Sequence, residues 1–171
     1  YQVSVSEAVR NAGRLLQEAG VAAVKVEGGG PVVDVVRRLS GVGIPVMAHL
    51  GLTPQSVHSM GGFRLQAKSA EDAEALLKDA VELEAAGAFS LVLESIPPEV
   101  AQKVTAALEI PTIGIGAGPH CDGQVLVSYD AFGLFDAFVP PFVKQYAQLG
   151  KQIREAAGAY ADDVREGRFP G

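Results

Sequence analysis

The sequence has little that would suit a secreted, membrane-spanning or nucleic-acid-binding protein. It has no tryptophan and a single cysteine, Cys121, so no disulfide can form within the chain. No apolar run approaches the roughly 20 residues of a transmembrane helix, and we find no signal-peptide pattern. Lysine and arginine are scattered through a chain of net charge -6, which argues against a basic nucleic-acid surface. We therefore expect a cytoplasmic protein whose partners include neither membrane nor nucleic acid.

What the sequence does have is a regular alternation of short apolar runs and helical patterns. Hydrophobic residues make up 48% of its 171 residues, which is enough for a sizeable core. Apolar runs, each with a helical pattern nearby, indicate a parallel sheet covered on its faces. The pattern leaves open whether the sheet is doubly wound or part of a closed barrel. The predicted strands are 21–27, 44–50, 89–94, 111–116 and 124–127.

The helix boundaries are predicted from capping residues. Ser6 and Ser69 are the expected N-caps of two helices, because a serine side chain can accept a hydrogen bond from the first turn. Pro31 is expected in the first turn of a third helix, where its missing N–H costs nothing. Two further helices are predicted at 98–108 and 142–164. The connection 51–69 is long for this fold class, and long connections are often functional.

Polar side chains end three consecutive predicted strands. Lys25 and Glu27 close the first strand and share a face, His49 closes the second, and Glu94 closes the third. Carboxyl ends of parallel strands form the binding edge in both open and closed sheets. Alone, Lys25 and Glu27 are equally well explained as a structural ion pair, and His49 as a structural histidine. Taken together, the four residues favour a functional site.

The chemistry that such a group supports is enolate formation. A carboxylate suits Mg²⁺, which leaves coordination positions open for substrate oxygens. A chelated 2-oxo acid has an acidified neighbouring C–H, and a nearby glutamate can remove that proton. Cys121 is interpreted as a small loop residue and not as a nucleophile, since the adjacent Asp122 disfavours a thiolate. The glycines of 114–118 match no nucleotide-binding motif.

An ordered set of motifs resembles the ketopantoate hydroxymethyltransferases. The most specific is HLGLTPQS at 49–56 with GGFRLQ at 61–66, and the resemblance covers essentially the whole chain. The other motifs are VKVEGG at 24–29, VLE at 92–94, IGIGAG at 113–118, DGQVLV at 122–127 and DAFG at 130–133.

The resemblance implies a (β/α)8 barrel that uses Mg²⁺ and 5,10-methylenetetrahydrofolate to convert 3-methyl-2-oxobutanoate into 2-dehydropantoate for pantothenate synthesis. It implies that Glu27 is a metal ligand, that Lys25 contacts the oxo acid, and that Glu94 is the proton acceptor. His49 would lie in the active site in an orienting role. A large homo-oligomer, a decamer, is expected from the family.

Two departures from the family pattern stand out. Ala67 occupies a position that is usually glycine, and this would matter if its backbone φ were positive. The chain also corresponds to about strands four to eight only, as a single domain over 1–171. Strands one to three, two aspartate metal ligands and a substrate-contacting serine belong to the upstream part in relatives. That part could be disordered, present as a separate cleaved fragment, or truncated.

Two other functions stay open at this point. One is a related Mg²⁺-dependent barrel that acts on phosphoenolpyruvate or isocitrate, since such enzymes share enolate chemistry. The other is a catalytically incompetent fragment that retains only assembly contacts. Retention of Lys25, Glu27, His49 and Glu94 argues against the second, and the HLGLTPQS motif argues against the first.

Overall fold

The structure is a computed structural model that describes residues 1–58, 61–62, 64–135 and 137–171. Phe63, part of the GGFRLQ motif, lies outside the described residues. The chain divides into two compact units, Tyr1–Val125 and Leu126–Gly171. The expectation of a single domain over residues 1–171 stays a prediction.

The first unit is built on a five-stranded parallel sheet. Its strand order follows the chain, β1-β2-β3-β4-β5, with every neighbouring pair parallel. A doubly wound sheet reverses its strand order at a switch point, whereas a barrel adds each new strand on the same side. The sequential order therefore confirms the expected part of a barrel. The strands are β1 Val24–Glu27, β2 Val46–Gly51, β3 Ala88–Glu94, β4 Thr112–Ile115 and β5 Gly123–Gln124.

Four α-helices lie on one side of the sheet: α2 and α3 contact the strands, α1 packs against α2, and α4 packs against α3. Leu91 and Leu93 of β3 are fully buried among helix residues such as Val36, Leu39 and Leu83. Between β4 and β5 the chain returns through the loop 116–122 without a helix. The helices are α1 Val5–Ala19, α2 Val32–Gly41, α3 Ala70–Ala85 and α4 Pro98–Ala107, with a short 3-10 helix at Pro54–Ser56.

The capping predictions had mixed outcomes. Ser69 is confirmed as the N-cap of α3, since its hydroxyl accepts from Asp72 N at 3.0 Å. Ser6 is wrong as the cap of α1. Ser4 takes that role, because its extended backbone (φ -162°) lets its hydroxyl accept from Glu7 N at 3.1 Å. Ser6 lies inside the first turn of the helix, where it has no capping function.

The second unit contains α5 Ser128–Ala131 and α6 Leu149–Arg165. The predicted helix at 142–164 was wrong in its first turns. Backbone N–H groups of Tyr146 and Leu149 donate to the carbonyls of Ala131 and Phe132, at 2.7 and 2.9 Å, so the chain before α6 pairs with the end of α5. Among the described residues, no helix has the length and apolarity needed to cross a membrane.

Candidate active site

The carboxyl ends of β1, β2 and β3 bring together the four polar residues that were singled out in the sequence. In the sheet, Glu27 is the Cα partner of His49, and Gly51 is the Cα partner of Glu94. Because side chains alternate along a strand, Lys25, Glu27, His49 and Glu94 all lie on the same face of the sheet. This is the face opposite the one that packs against the helices. The predicted convergence of these residues is therefore observed.

Lys25, Glu27 and His49 form a compact polar triangle. The Lys25 Nζ atom lies 3.4 Å from Glu27 Oε1 and 3.1 Å from His49 Nδ1. The distance from His49 Nδ1 to Glu27 Oε1 is 3.8 Å. The Glu27 and His49 side chains are 5% and 1% exposed, whereas that of Lys25 is 42% exposed. Lys25 is thus the member of the triangle that a ligand from solution reaches first.

Glu94 joins this triangle through the other nitrogen of His49. His49 Nε2 lies 3.2 Å from Glu94 Oε2, and the Glu94 side chain is 16% exposed. The distance is within hydrogen-bonding range, but the two groups do not have the geometry of a hydrogen bond. His49 Nε2 is therefore a buried polar atom without a hydrogen-bond partner among the described residues.

Glu27 is held by groups that the sequence did not predict. The backbone N–H of Gln55, in the 3-10 helix after β2, donates to Glu27 Oε2 at 3.0 Å. The Tyr1 hydroxyl accepts from Glu27 N at 3.1 Å and donates to Glu27 O at 3.2 Å. Neither a backbone N–H donor nor a tyrosine that is distant in sequence forms a recognisable sequence motif with Glu27. The nearest available signal was that Gln55 belongs to the HLGLTPQS motif.

The end of β3 is held in an uncommon backbone conformation. Ser95, directly after Glu94, has φ 49°, in the left-handed region that residues other than glycine rarely adopt. Its N–H donates to Ile115 O at 2.9 Å, and its carbonyl accepts from Gln66 N at 2.8 Å. Both bonds hold the strained residue in place. Such strain is often found beside functional residues.

Comparison with known proteins identifies the family to which this sheet and site belong. The family model described as ketopantoate hydroxymethyltransferase matches residues 1–171. The chain belongs to the ketopantoate hydroxymethyltransferase family. The resemblance inferred from the motifs is thereby confirmed, and the family assignment does not favour the phosphoenolpyruvate or isocitrate alternative.

Curated relatives of this family are similar along the whole chain. The 3-methyl-2-oxobutanoate hydroxymethyltransferase of Heliobacterium modesticaldum is 56% identical over 171 residues, which are 100% of this chain and 62% of the relative. The enzyme of the same name from Moorella thermoacetica is 57% identical over 170 residues, 99% of this chain and 63% of the relative. The chain therefore spans less than two thirds of the length of these relatives.

The hydroxymethyltransferase family was expected to bind Mg²⁺ through Glu27, and the donor chemistry of Glu27 fits that role in part. Glu27 is a buried carboxylate whose two oxygens offer about four acceptor sites, and Lys25 and Gln55 take only some of them. It can therefore give one oxygen to a hard cation. No group of three or more His, Cys, Asp or Glu residues within the described ranges is arranged to hold a metal ion.

The loop 116–122 is fastened to the start of β4 by Asp122. Its Oδ2 accepts hydrogen bonds from Thr112 N at 2.8 Å and from the Thr112 hydroxyl at 3.0 Å. The hydroxyl groups of Thr105 and Thr112 are also hydrogen-bonded to each other, at 2.8 Å. The hydrogen bond from the Thr112 N–H, followed by that from its hydroxyl, lowers the pKa of Asp122. Burial raises the pKa of the neighbouring Cys121 thiol, which supports its interpretation as a loop residue and not a nucleophile.

Proposed function

We propose that the protein transfers a hydroxymethyl group from 5,10-methylenetetrahydrofolate to 3-methyl-2-oxobutanoate, giving 2-dehydropantoate for pantothenate synthesis in the cytoplasm. One observation carries the proposal beyond family membership. A half-buried carboxylate, Glu94, meets a buried imidazole, a buried carboxylate and an accessible amine at one strand edge. This set offers a base, a possible metal ligand and an anion contact within one small region.

Glu94 is the proposed proton acceptor. Its position at a strand end, with a side chain 16% exposed, keeps it partly shielded from water and still within reach of a bound ligand. The carboxylate takes the proton from C3 of the oxo acid, and the C–H electron pair becomes the C2–C3 double bond of the enolate. The enolate carbon then forms a C–C bond with the one-carbon unit of the folate, and both C–N bonds that hold this unit break. Water supplies the hydroxyl group of the product and one proton, and tetrahydrofolate leaves with that proton and the proton taken from C3.

Lys25 is the proposed contact for the oxo acid. Its ammonium is the most exposed polar group of the site, and its hydrogen bonds to Glu27 and His49 direct it across the strand ends. A positive charge at this point favours the carboxylate of the substrate and the negative charge that develops on the enolate oxygen. His49 has an orienting role between Lys25 and Glu94.

Glu27 would supply a protein oxygen to Mg²⁺. When bound, the ion supplies Lewis-acid stabilisation of negative charge on the oxo acid. Residues outside this chain, substrate oxygens and water would have to complete its coordination, since Mg²⁺ prefers six oxygen ligands. We further propose that the whole protein works as a homo-oligomer, a decamer, with small-molecule partners only.

The first experiment establishes what is being assayed. Intact-protein mass and N-terminal sequencing under denaturing conditions reveal whether other residues accompany this chain of 17.8 kDa. The protein is then given 3-methyl-2-oxobutanoate, 5,10-methylenetetrahydrofolate and Mg²⁺, and 2-dehydropantoate is measured. A protein that carries the full set of metal carboxylates should form it. If such a protein turns over isocitrate or phosphoenolpyruvate instead, the transferase proposal is wrong.

The role of Glu94 is tested separately by proton exchange. In D₂O with Mg²⁺ and no folate, the C3 proton signal of the oxo acid should disappear as the enolate forms and is re-protonated. Glu94→Gln should slow this exchange by roughly a hundred-fold or more, because the base is lost. Glu99→Gln, on the exposed first turn of α4, is the matched control and should leave the rate unchanged. Full exchange in Glu94→Gln would sink the assignment.

A further inference from the structure

His49 is the one residue of the site whose two polar atoms face groups of opposite hydrogen-bonding character. Its Nδ1 lies 3.1 Å from Lys25 Nζ, and its Nε2 lies 3.2 Å from Glu94 Oε2. The side chain is 1% exposed, so neither nitrogen has ready access to water. Each nitrogen must therefore match the protein group beside it.

These neighbours determine which nitrogen carries the proton. A lysine ammonium only donates hydrogen bonds, so the nitrogen it contacts must offer a lone pair. The carboxylate of Glu94 only accepts, so the nitrogen facing it should carry the hydrogen. The competing acceptor for a proton on Nδ1 is Glu27 Oε1, but it lies 3.8 Å away, beyond hydrogen-bonding distance.

We infer that Lys25 fixes His49 as the neutral tautomer with hydrogen on Nε2, the nitrogen that lies beside the Glu94 carboxylate. In this arrangement His49 is a positioning residue and not a base. The tautomer itself follows from the contacts above. Its meaning for catalysis rests on the proposed function, in which Glu94 removes the substrate proton.

The Nε2–H group of His49 has no hydrogen-bond partner, and Glu94 is the acceptor beside it. A buried N–H without an acceptor is unfavourable, and Glu94 Oε2 already lies at hydrogen-bonding distance from it. A hydrogen bond from Nε2 to Oε2 would hold Oε2 and leave Oε1 of Glu94 to receive a proton from a ligand above the strand ends.

Nuclear magnetic resonance of the ring nitrogens tests the inference directly. The sequence has only three histidines, His49, His58 and His120, so the ring signals of a ¹⁵N-labelled sample can be assigned with His58→Gln and His120→Gln. At neutral pH, without added metal, we expect Nε2 of His49 to be protonated and Nδ1 to be bare. A proton on Nδ1, or on both nitrogens, would overturn the inference.

Substitution of the lysine tests what sets the tautomer. Lys25→Met removes the donor beside Nδ1 and should let a measurable fraction of His49 carry its proton on Nδ1. Lys25→Arg keeps a donor and should restore the original state. Lys78→Met, which removes the exposed partner of Glu82 on α3, is the matched control and should leave His49 unchanged. An identical tautomer in Lys25→Met, in a variant with unchanged circular dichroism, contradicts the role of Lys25.

The result is independent of turnover. The ring signals are read from the folded chain with no substrate, folate or metal. A failed transferase assay therefore leaves the tautomer assignment standing, and a wrong tautomer leaves the transferase proposal standing without its positioning residue.

Discussion

Gly51 and Glu94 are partners across β2 and β3, and their backbones approach so closely that a Cβ atom on Gly51 would overlap the Glu94 carbonyl oxygen. Gly51 has φ 92°, and the next N–H, that of Leu52, donates to the same carbonyl at 2.8 Å. The close approach links the end of β2, just after His49, to the backbone of the proposed base. Only glycine meets both requirements.

Gly51→Ala should therefore be strongly destabilising. The left-handed backbone and the overlap with a main-chain atom together should cost about 3 kcal/mol of unfolding free energy. Urea unfolding monitored by circular dichroism measures the change.

Gly13→Ala is the matched control for this substitution. Gly13 lies inside α1 with no heavy atom within 4 Å of the added methyl, so alanine should raise stability by up to about 1 kcal/mol. Equal effects of the two substitutions would contradict the close approach at Gly51.

The alanine at position 67 stands in a conformation that suits glycine. Ala67 has φ 51° and is buried, so the family's usual glycine would relieve strain there. Two effects oppose that gain. Glycine lacks the buried methyl group of alanine, and it loses more conformational entropy than alanine when the chain folds. We expect Ala67→Gly to change the unfolding free energy by less than about 0.5 kcal/mol because these contributions nearly cancel.

The same substitution in a helix should behave differently. Ala101 is fully buried within α4, so Ala101→Gly removes a methyl and weakens the helix without relieving any strain. It should cost about 2 kcal/mol in the same urea titration. If Ala67→Gly costs as much as Ala101→Gly, residue 67 does not adopt the left-handed conformation.

The Asp122–Thr112 contact should make stability depend on pH in the acid range. The folded state lowers the pKa of Asp122 through hydrogen bonds from Thr112, so its carboxylate stabilises the fold at neutral pH. That contribution is complete above the ordinary value of 3.8 and is lost as the pH falls below it towards the folded pKa. Thermal unfolding should be measured between neutral and strongly acidic pH. As the pH falls, the unfolding temperature should decrease more steeply in the wild type than in Asp122→Asn. Superimposable pH profiles would contradict this.

The thiol of Cys121 should react slowly in the folded protein. Burial raises its pKa above the ordinary 9.0, so the reactive thiolate is scarce at neutral pH. Alkylation by iodoacetamide followed by mass spectrometry should be slow in the native protein and fast in urea, where burial is removed. Labelling at the same rate in both conditions would show that the thiol is not shielded.

Much of the fold was predictable because its signals are local. Strands β1 to β4 overlap the predicted strands to within one residue at the end of β2 and the start of β3, because short apolar runs mark buried strands. The prediction of a strand at 124–127 was wrong in its bounds, since β5 covers only Gly123–Gln124. The errors also have local causes. Ser6 and Ser4 are both capping residues, and only the observed backbone distinguishes them. Residues 142–148 have helical composition, but pairing with the end of α5 offers their backbone other hydrogen bonds.

By itself, the sequence determined the family, the approximate positions of β1 to β4 and the four polar residues at strand ends, because motifs and periodicity are written along the chain. Only the tertiary structure decided the sequential strand order, the contact of Gln55 N with Glu27, and the left-handed Ser95 beside Glu94. Those features depend on backbone groups, and every residue except proline carries the same N–H and C=O. The packing of the whole unit decides which of these backbone groups come into contact, and the residue types do not show it.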